Sequence, residues 1–250
     1  MELRSETELT REIARLRTEL ALREREAADN ALQLERYAAD LRETFKQERV
    51  RSQELARSYT ATVRALSNAV EARDAYTGKH AERVAAYGIE IARALGVTRP
   101  DAPEIEFGFL LHDIGKVAIP DSILYKPGAL TDEERRRMAK HPEIGAEIVR
   151  GIEFLQEPAK VVRSHHERWD GTGYPDGLRA EEIPLAARIF AVADVLDALT
   201  TDRPYRPAST FARARTMIVA GAGTQFDPCV VEAFDSIDDA TFERIAREIR

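Results

Sequence analysis

The first glycine of this 250-residue chain is Gly78 and the first proline is Pro100, although the sequence holds 13 Gly and 11 Pro. The segment before Gly78 is rich in Ala, Leu, Arg and Glu, all good helix formers, and contains no strong breaker. Its apolar residues keep a heptad-like spacing: Leu9, Ile13, Leu16, Leu20, Ala27, Leu34, Tyr37 and Leu41, with Arg23 and Asn30 on the same seam. The seam continues through Phe45, Ser52, Leu55, Tyr59, Thr62 and Leu66 after two consecutive steps of four, Tyr37 to Leu41 to Phe45. That is a stutter, which locally unwinds a left-handed supercoil. A helix over residues 5–73 would run about 100 Å at ~1.5 Å per residue, and such a rod cannot bury its own stripe. The pattern predicts a parallel two-stranded coiled coil over residues 1–64, and hence a homodimer; a solvated, charged helix is the alternative.

From residue 65 the pattern changes to shorter amphipathic stretches separated by Gly and Pro. Helices are predicted at 79–96, 102–116, 131–140, 143–151, 157–168, 183–200, 208–220, 228–235 and 239–249. Thr131-Asp132-Glu133-Glu134 reads as a helix start with a capping box. No alternating stretch is long enough for a sheet. The expected fold class is therefore all-α: a long N-terminal helix followed by a compact helical domain over residues 65–250.

Composition narrows the function. A single cysteine, Cys229, excludes an internal disulfide framework. No run approaches the ~18 apolar residues of a membrane span, and residues 1–30 mix Glu and Arg without the apolar core of a signal peptide. A soluble, cytoplasmic protein is expected. The net charge of −7 argues against a nucleic-acid polymer as partner, but not against a small anionic ligand held by metals and a few cations.

All five histidines lie in the second region: His80, His112, His141, His165 and His166. One helix-borne His is usually structural; five, with His112-Asp113 and His165-His166 as adjacent pairs, point to metal ligation. Imidazole and carboxylate donors suit Fe, Mn, Zn or Ni. Lys116 lies four residues after His112 and three after Asp113, on the same side of a helix; an ammonium there suits a phosphate, though an ordinary helix-end lysine is the plainer reading. In Ala-Val-Ala-Asp-Val-Leu-Asp-Ala-Leu-Thr, Asp194 and Asp197 both sit in an almost wholly apolar helix and need a partner. Helical spacing does not choose between them. Arg168 to Gly177, with three glycines and a proline, form a shaped loop, and Arg203 and Arg206 follow the Asp194 helix.

Together these segments resemble the HD-GYP domain, a subgroup of the HD phosphohydrolase superfamily. The resemblance covers residues ~63–235. It rests on Arg73-Asp74-Ala75-Tyr76-Thr77-Gly78-Lys79-His80, His112-Asp113-Ile114-Gly115-Lys116, His141-Pro142-Glu143-Ile144-Gly145, His165-His166-Glu167-Arg168-Trp169-Asp170-Gly171-Thr172-Gly173-Tyr174-Pro175, Ala193-Asp194 to Thr200, and Gly223-Thr224-Gln225-Phe226-Asp227-Pro228. It implies hydrolysis of cyclic di-GMP to pGpG, and in some members to GMP, by hydroxide generated at two divalent metals, Fe or Mn. The implied metal ligands are His80, His112, Asp113, His141, His165, His166 and Asp194, with Asp113 the bridge. Lys116 would contact the scissile phosphate, Arg203 and Arg206 would hold phosphates, and Gly173, Tyr174 and Pro175 would form the family's namesake loop. Ala75 stands where Pro is frequent, and Tyr76 where members with a third metal carry Glu, which favours two metals. Hydrolysis of a different cyclic dinucleotide and a non-catalytic signalling module are the competing readings. The coiled coil, which lies outside the resemblance, would pass a signal from a partner domain.

Overall fold

The computed structural model describes residues 6–73, 79–99, 103–202 and 207–249. Contacts divide the chain into two units, Met1–Ser58 and Tyr59–Arg250. Helix α1 (Glu6–Glu71) supplies the whole of the first described unit and continues into the second. In the first unit, intrahelical pairs such as Arg15–Glu12 at 2.8 Å and Arg23–Glu19 at 2.9 Å support the helix, each by a few tenths of a kcal/mol. The seam residues Leu9, Ile13, Leu16 and Leu20 are 49%, 50%, 51% and 57% exposed in the single chain. Among the described residues no helix is long and apolar enough to cross a membrane.

The second unit is helical throughout, with no strand among its described residues beyond an isolated bridge between Ala222 and Phe226. After the end of α1 come α2 (His80–Ala94), α3 (Pro103–Leu110), α4 (Asp121–Leu124), α5 (Asp132–Met138), α6 (His141–Val149), α7 (Gln156–Ser164), α8 (Leu185–Thr200), α9 (Phe211–Ala220), α10 (Pro228–Asp235) and α11 (Asp239–Glu248). The apolar α8 lies at the centre, packed against α2, α7, α9 and α10, while α3 bridges α2 and α7. Tyr87, Phe109, Phe190, Phe234 and Phe242 fill the core, with edge-on aromatic pairs such as Phe109–Phe190 at 5.4 Å. The close α2–α3 crossing depends on Gly88, where a Cβ would lie 2.1 Å from the Phe109 ring.

Thr131 starts α5 as the capping box requires: its hydroxyl accepts from the Glu134 amide, and the Glu134 carboxylate accepts from the Thr131 amide at 2.7 Å. Two predicted helices end four or more residues before their sequence pattern does. The stretch 102–116 is not one helix: α3 stops at Leu110, residues 111–113 turn, and a 3₁₀ segment runs from Ile114 to Ala118. The cause is the approach of this segment to the start of α6. A Cβ on Gly115 would sit 1.9 Å from the His141 carbonyl oxygen, so only glycine lets the two backbones touch. The stretch 157–168 likewise ends as α7 at Ser164, which leaves His165 and His166 just beyond the helix.

Candidate metal centre

Five places in the second unit bring their side chains to one cleft. His80 opens α2, His112 and Asp113 occupy the turn after α3, His141 opens α6, His165 and His166 follow α7, and Asp194 lies mid-way along α8. The imidazole rings form a chain, with centroids 5.5 Å apart for His80–His112, 5.3 Å for His112–His165 and 4.2 Å for His165–His166. His141, His165 and His166 can offer ligand atoms that all lie within 4.8 Å of one another.

The backbone orients three of these rings in the same way. Nδ1 of His112, His141 and His165 lies 2.8 Å from the carbonyl oxygen three residues earlier, of Phe109, Met138 and Val162 respectively. A carbonyl only accepts, so each Nδ1 carries a proton and each ring directs its Nε2 inward, where that nitrogen can serve as a donor atom to a cation once it is unprotonated. Nε2 of His141 and Nε2 of His165 then face each other at 3.1 Å. Two acceptors at that distance need a proton on one or a cation beside both. Burial and the neighbouring histidines push the His165 pKa well below its usual value, and the same two causes push His166 down to about 4. Both rings are thus ready as neutral ligands. The donor set fits divalent cations.

Asp113 lies between the two ends of the histidine chain. Its Oδ2 is 3.0 Å from His112 Nε2, while its Oδ1 is 3.2 Å from His141 Nε2 and 4.0 Å from His165 Nε2. Burial alone would raise its pKa, but His112, Lys116 and His141 hold it well below the carboxylate range. Lys116 Nζ lies 2.8 Å from Asp113 Oδ2. The contact follows from the 3₁₀ segment, in which residues three apart eclipse, rather than from the α-helical face expected of 102–116.

At the other end, His80 Nε2 is 3.3 Å from Asp194 Oδ1, and its Nδ1 is 2.7 Å from Asp197 Oδ2. Burial opposes the charged imidazole, yet hydrogen bonds to Asp194 and Asp197 raise its pKa to about 10. The two carboxylates differ in their surroundings. Asp197 is fully buried and also accepts from Arg83 at 2.6 Å and 3.0 Å, so its oxygens are committed. Asp194, with a side chain 31% exposed, faces the cleft.

Tyr174 of the loop stacks on His166, with centroids 4.7 Å apart, and the Tyr174–Pro175 bond is cis. Gly173 presses on the backbone: a Cβ there would lie 2.5 Å from the Arg168 amide nitrogen. Glu167, which the sequence reading passed over, holds the next turn. Its buried carboxylate accepts from the amides of Asp176, Gly177 and Leu178 at 2.7, 3.1 and 3.1 Å. Only its place directly after the His pair hinted at this. Arg83 and its pairing with Asp197 were also missed, because the partners are 114 residues apart. Arg203 and Arg206 lie outside the described residues, as do residues 74–78 of the first motif.

Residues 64–230 match the HD domain family. The chain is 47% identical over 174 residues to the cyclic di-GMP phosphodiesterase response regulator RpfG of Xanthomonas campestris pv. campestris, covering 69% of this chain and 46% of that protein. It is 46% identical over 169 residues to 3'3'-cGAMP-specific phosphodiesterase 2 of Vibrio cholerae, covering 67% of this chain and 32% of that protein. The chain thus spans less than half the length of these curated relatives. In fold it is similar to the crystal structure of a cyclic GMP-AMP-specific phosphodiesterase of V. cholerae, with a TM-score of 0.54 at 20% identity, over 74% of this chain and 52% of that one.

Proposed function

This chain belongs to the HD domain family, and from that premise we propose that it is a metal-dependent phosphodiesterase of the HD-GYP type acting on cyclic di-GMP. The observation that carries the reading is the inward convergence of Nε2 atoms, with those of His141 and His165 3.1 Å apart beside the Asp113 carboxylate. Such a cluster is costly to bury without a cation. The ligands of two divalent ions, iron or manganese, would be His80, His112, Asp113, His141, His165, His166 and Asp194, with Asp113 shared. When bound, the ions supply Lewis acidity to the phosphoryl group and lower the pKa of the attacking water.

The remaining chemistry falls to the protein. Lys116 neutralises charge that grows on the phosphoryl oxygens, and Asp113 keeps its ammonium beside the ligands at 2.8 Å. Asp197 holds the His80 ring through Nδ1 and leaves Nε2 for a metal. Tyr174 lies flat against His166 and shapes the wall with Gly173 and Pro175, and Arg203 and Arg206 hold the substrate phosphates. A relative that is 46% identical and named for 3'3'-cGAMP favours one second reading, the mixed cyclic dinucleotide as substrate. The exposed seam from Leu9 to Leu41 supports a coiled-coil homodimer that relays a signal to a cytoplasmic enzyme.

The test is anaerobic purification with metal analysis, followed by incubation with cyclic di-GMP, 3'3'-cGAMP and cyclic di-AMP. Cyclic di-GMP should be converted to pGpG, or on to GMP, fastest of the three. Metal-loaded protein that hydrolyses none of them overturns the enzyme reading, and preference for 3'3'-cGAMP transfers it to the second substrate.

A further inference from the structure

The end of α1 holds the start of α2 and the end of α3, the two helix termini next to His80 and His112. Lys79, the residue before α2, has a left-handed backbone with φ 57° and offers no side-chain cap to the helix. The cap comes from elsewhere. Glu71, the last residue of α1, accepts the Ala81 amide on Oε1 at 2.6 Å, one residue past the ligand His80. One turn earlier on α1, the buried Ser67 donates its hydroxyl to the Leu110 carbonyl at 2.7 Å. Leu110 closes α3, two residues before His112. Being four apart, Ser67 and Glu71 lie on one face of α1, so a single helix face sets the height of both ligand-bearing termini.

We propose that Ser67 and Glu71 are positioning residues for the metal centre: through the Ala81 amide and the Leu110 carbonyl they hold His80 and His112 in register. Neither side chain is a proposed ligand. The chemistry suits the task, because a carboxylate satisfies an orphan amide and complements the positive end of α2, while the Ser67 hydroxyl reaches a terminal carbonyl of α3. The proposal rests on the reading of this site as a metal centre.

The experiment compares Glu71→Ala, Glu71→Gln, Ser67→Ala and wild type in the full chain. Amide hydrogen exchange in chelator-treated protein is read at Ala81 and its neighbours, and manganese affinity, kcat and KM are read on the loaded protein. The exchange readout needs no metal, so it separates this proposal from the functional reading. Glu71→Ala should lose protection at the first turn of α2, bind manganese about tenfold more weakly and lose kcat while KM stays within twofold. Glu71→Gln keeps an acceptor oxygen and should recover most of both. Ser67→Ala should weaken manganese binding severalfold. Unchanged protection at Ala81 in folded Glu71→Ala, wild-type manganese affinity in both alanine variants, or Glu71→Gln as impaired as Glu71→Ala would each overturn the proposal. Wild-type protein that binds no manganese and turns over no cyclic dinucleotide would instead overturn the functional reading, with the exchange result still deciding the cap.

Discussion

Asp194 and Asp197 lie on one face of α8 and contact the same imidazole, yet their removal should have opposite consequences. The Asp197 side chain is 0% exposed and accepts from Arg83 Nε at 2.6 Å, from Arg83 Nη2 at 3.0 Å and from His80 Nδ1 at 2.7 Å. Asp197→Ala takes the carboxylate away from the guanidinium of Arg83, whose side chain is only 10% exposed, and leaves it the neutral Thr201 hydroxyl at 3.5 Å. Breaking one side of a buried ion pair costs about 3–5 kcal/mol, a large share of the ~5–15 kcal/mol that holds a domain together. For a unit of this size the loss corresponds to a fall in Tm of about 6–20 °C. Asp194→Ala removes a carboxylate that faces the cleft, and His80 keeps its bond to Asp197. Its stability cost should be clearly smaller than that of Asp197→Ala, while metal binding at the His80 end is lost. The assay is urea unfolding of both variants in excess chelator, so that metal linkage does not enter, paired with metal titration of the folded proteins. Equal destabilisation by the two variants, or a stable Asp197→Ala, would refute the division of labour between the two carboxylates.

Lys116→Ala should retain full metal content and lose turnover by about 100-fold or more, because its proposed task is charge neutralisation on phosphate; elemental analysis beside kcat checks this, and loss of metal would place the lysine wrongly. Metal uptake at pH 8 should release at least one proton, read by calorimetry in buffers of different ionisation enthalpy, because His80 holds its proton to about 10 between Asp194 and Asp197 and must give it up at Nε2. Affinity should therefore rise with pH up to about 10; in the metal-free fold the stabilisation from this charged ring is complete below about 6.5 and lost as pH rises through 10. Removal of residues 1–55 should weaken the dimer to a monomer or a loose pair by light scattering and leave metal content unchanged, because the metal ligands we propose begin at His80; a truncated chain that remains a full-strength dimer would refute the seam as the interface.

The sequence alone determined what depends on local chemistry. With no glycine before Gly78 and no proline before Pro100, helix was the cheapest state of the first segment, and α1 runs from Glu6 to Glu71. Short amphipathic stretches between Gly and Pro were enough for an all-α second unit, and the capping box at Thr131 was legible because its four residues carry both hydrogen bonds. The types of the chemical groups were also legible, since imidazoles and carboxylates keep their donor character wherever they are placed. Geometry that depends on long-range contact was not. The break after Leu110 came from the approach of Gly115 to His141, 26 residues away, which no local propensity encodes. Asp194 and Asp197 could not be separated by spacing, because three residues on a helix turn through about 300° and leave both side chains only about 60° apart. Arg83, 114 residues away in sequence, commits one of them to the interior. Ser67, Glu71 and Glu167 were invisible for the same reason: each binds a backbone group whose position exists only once the helices have packed.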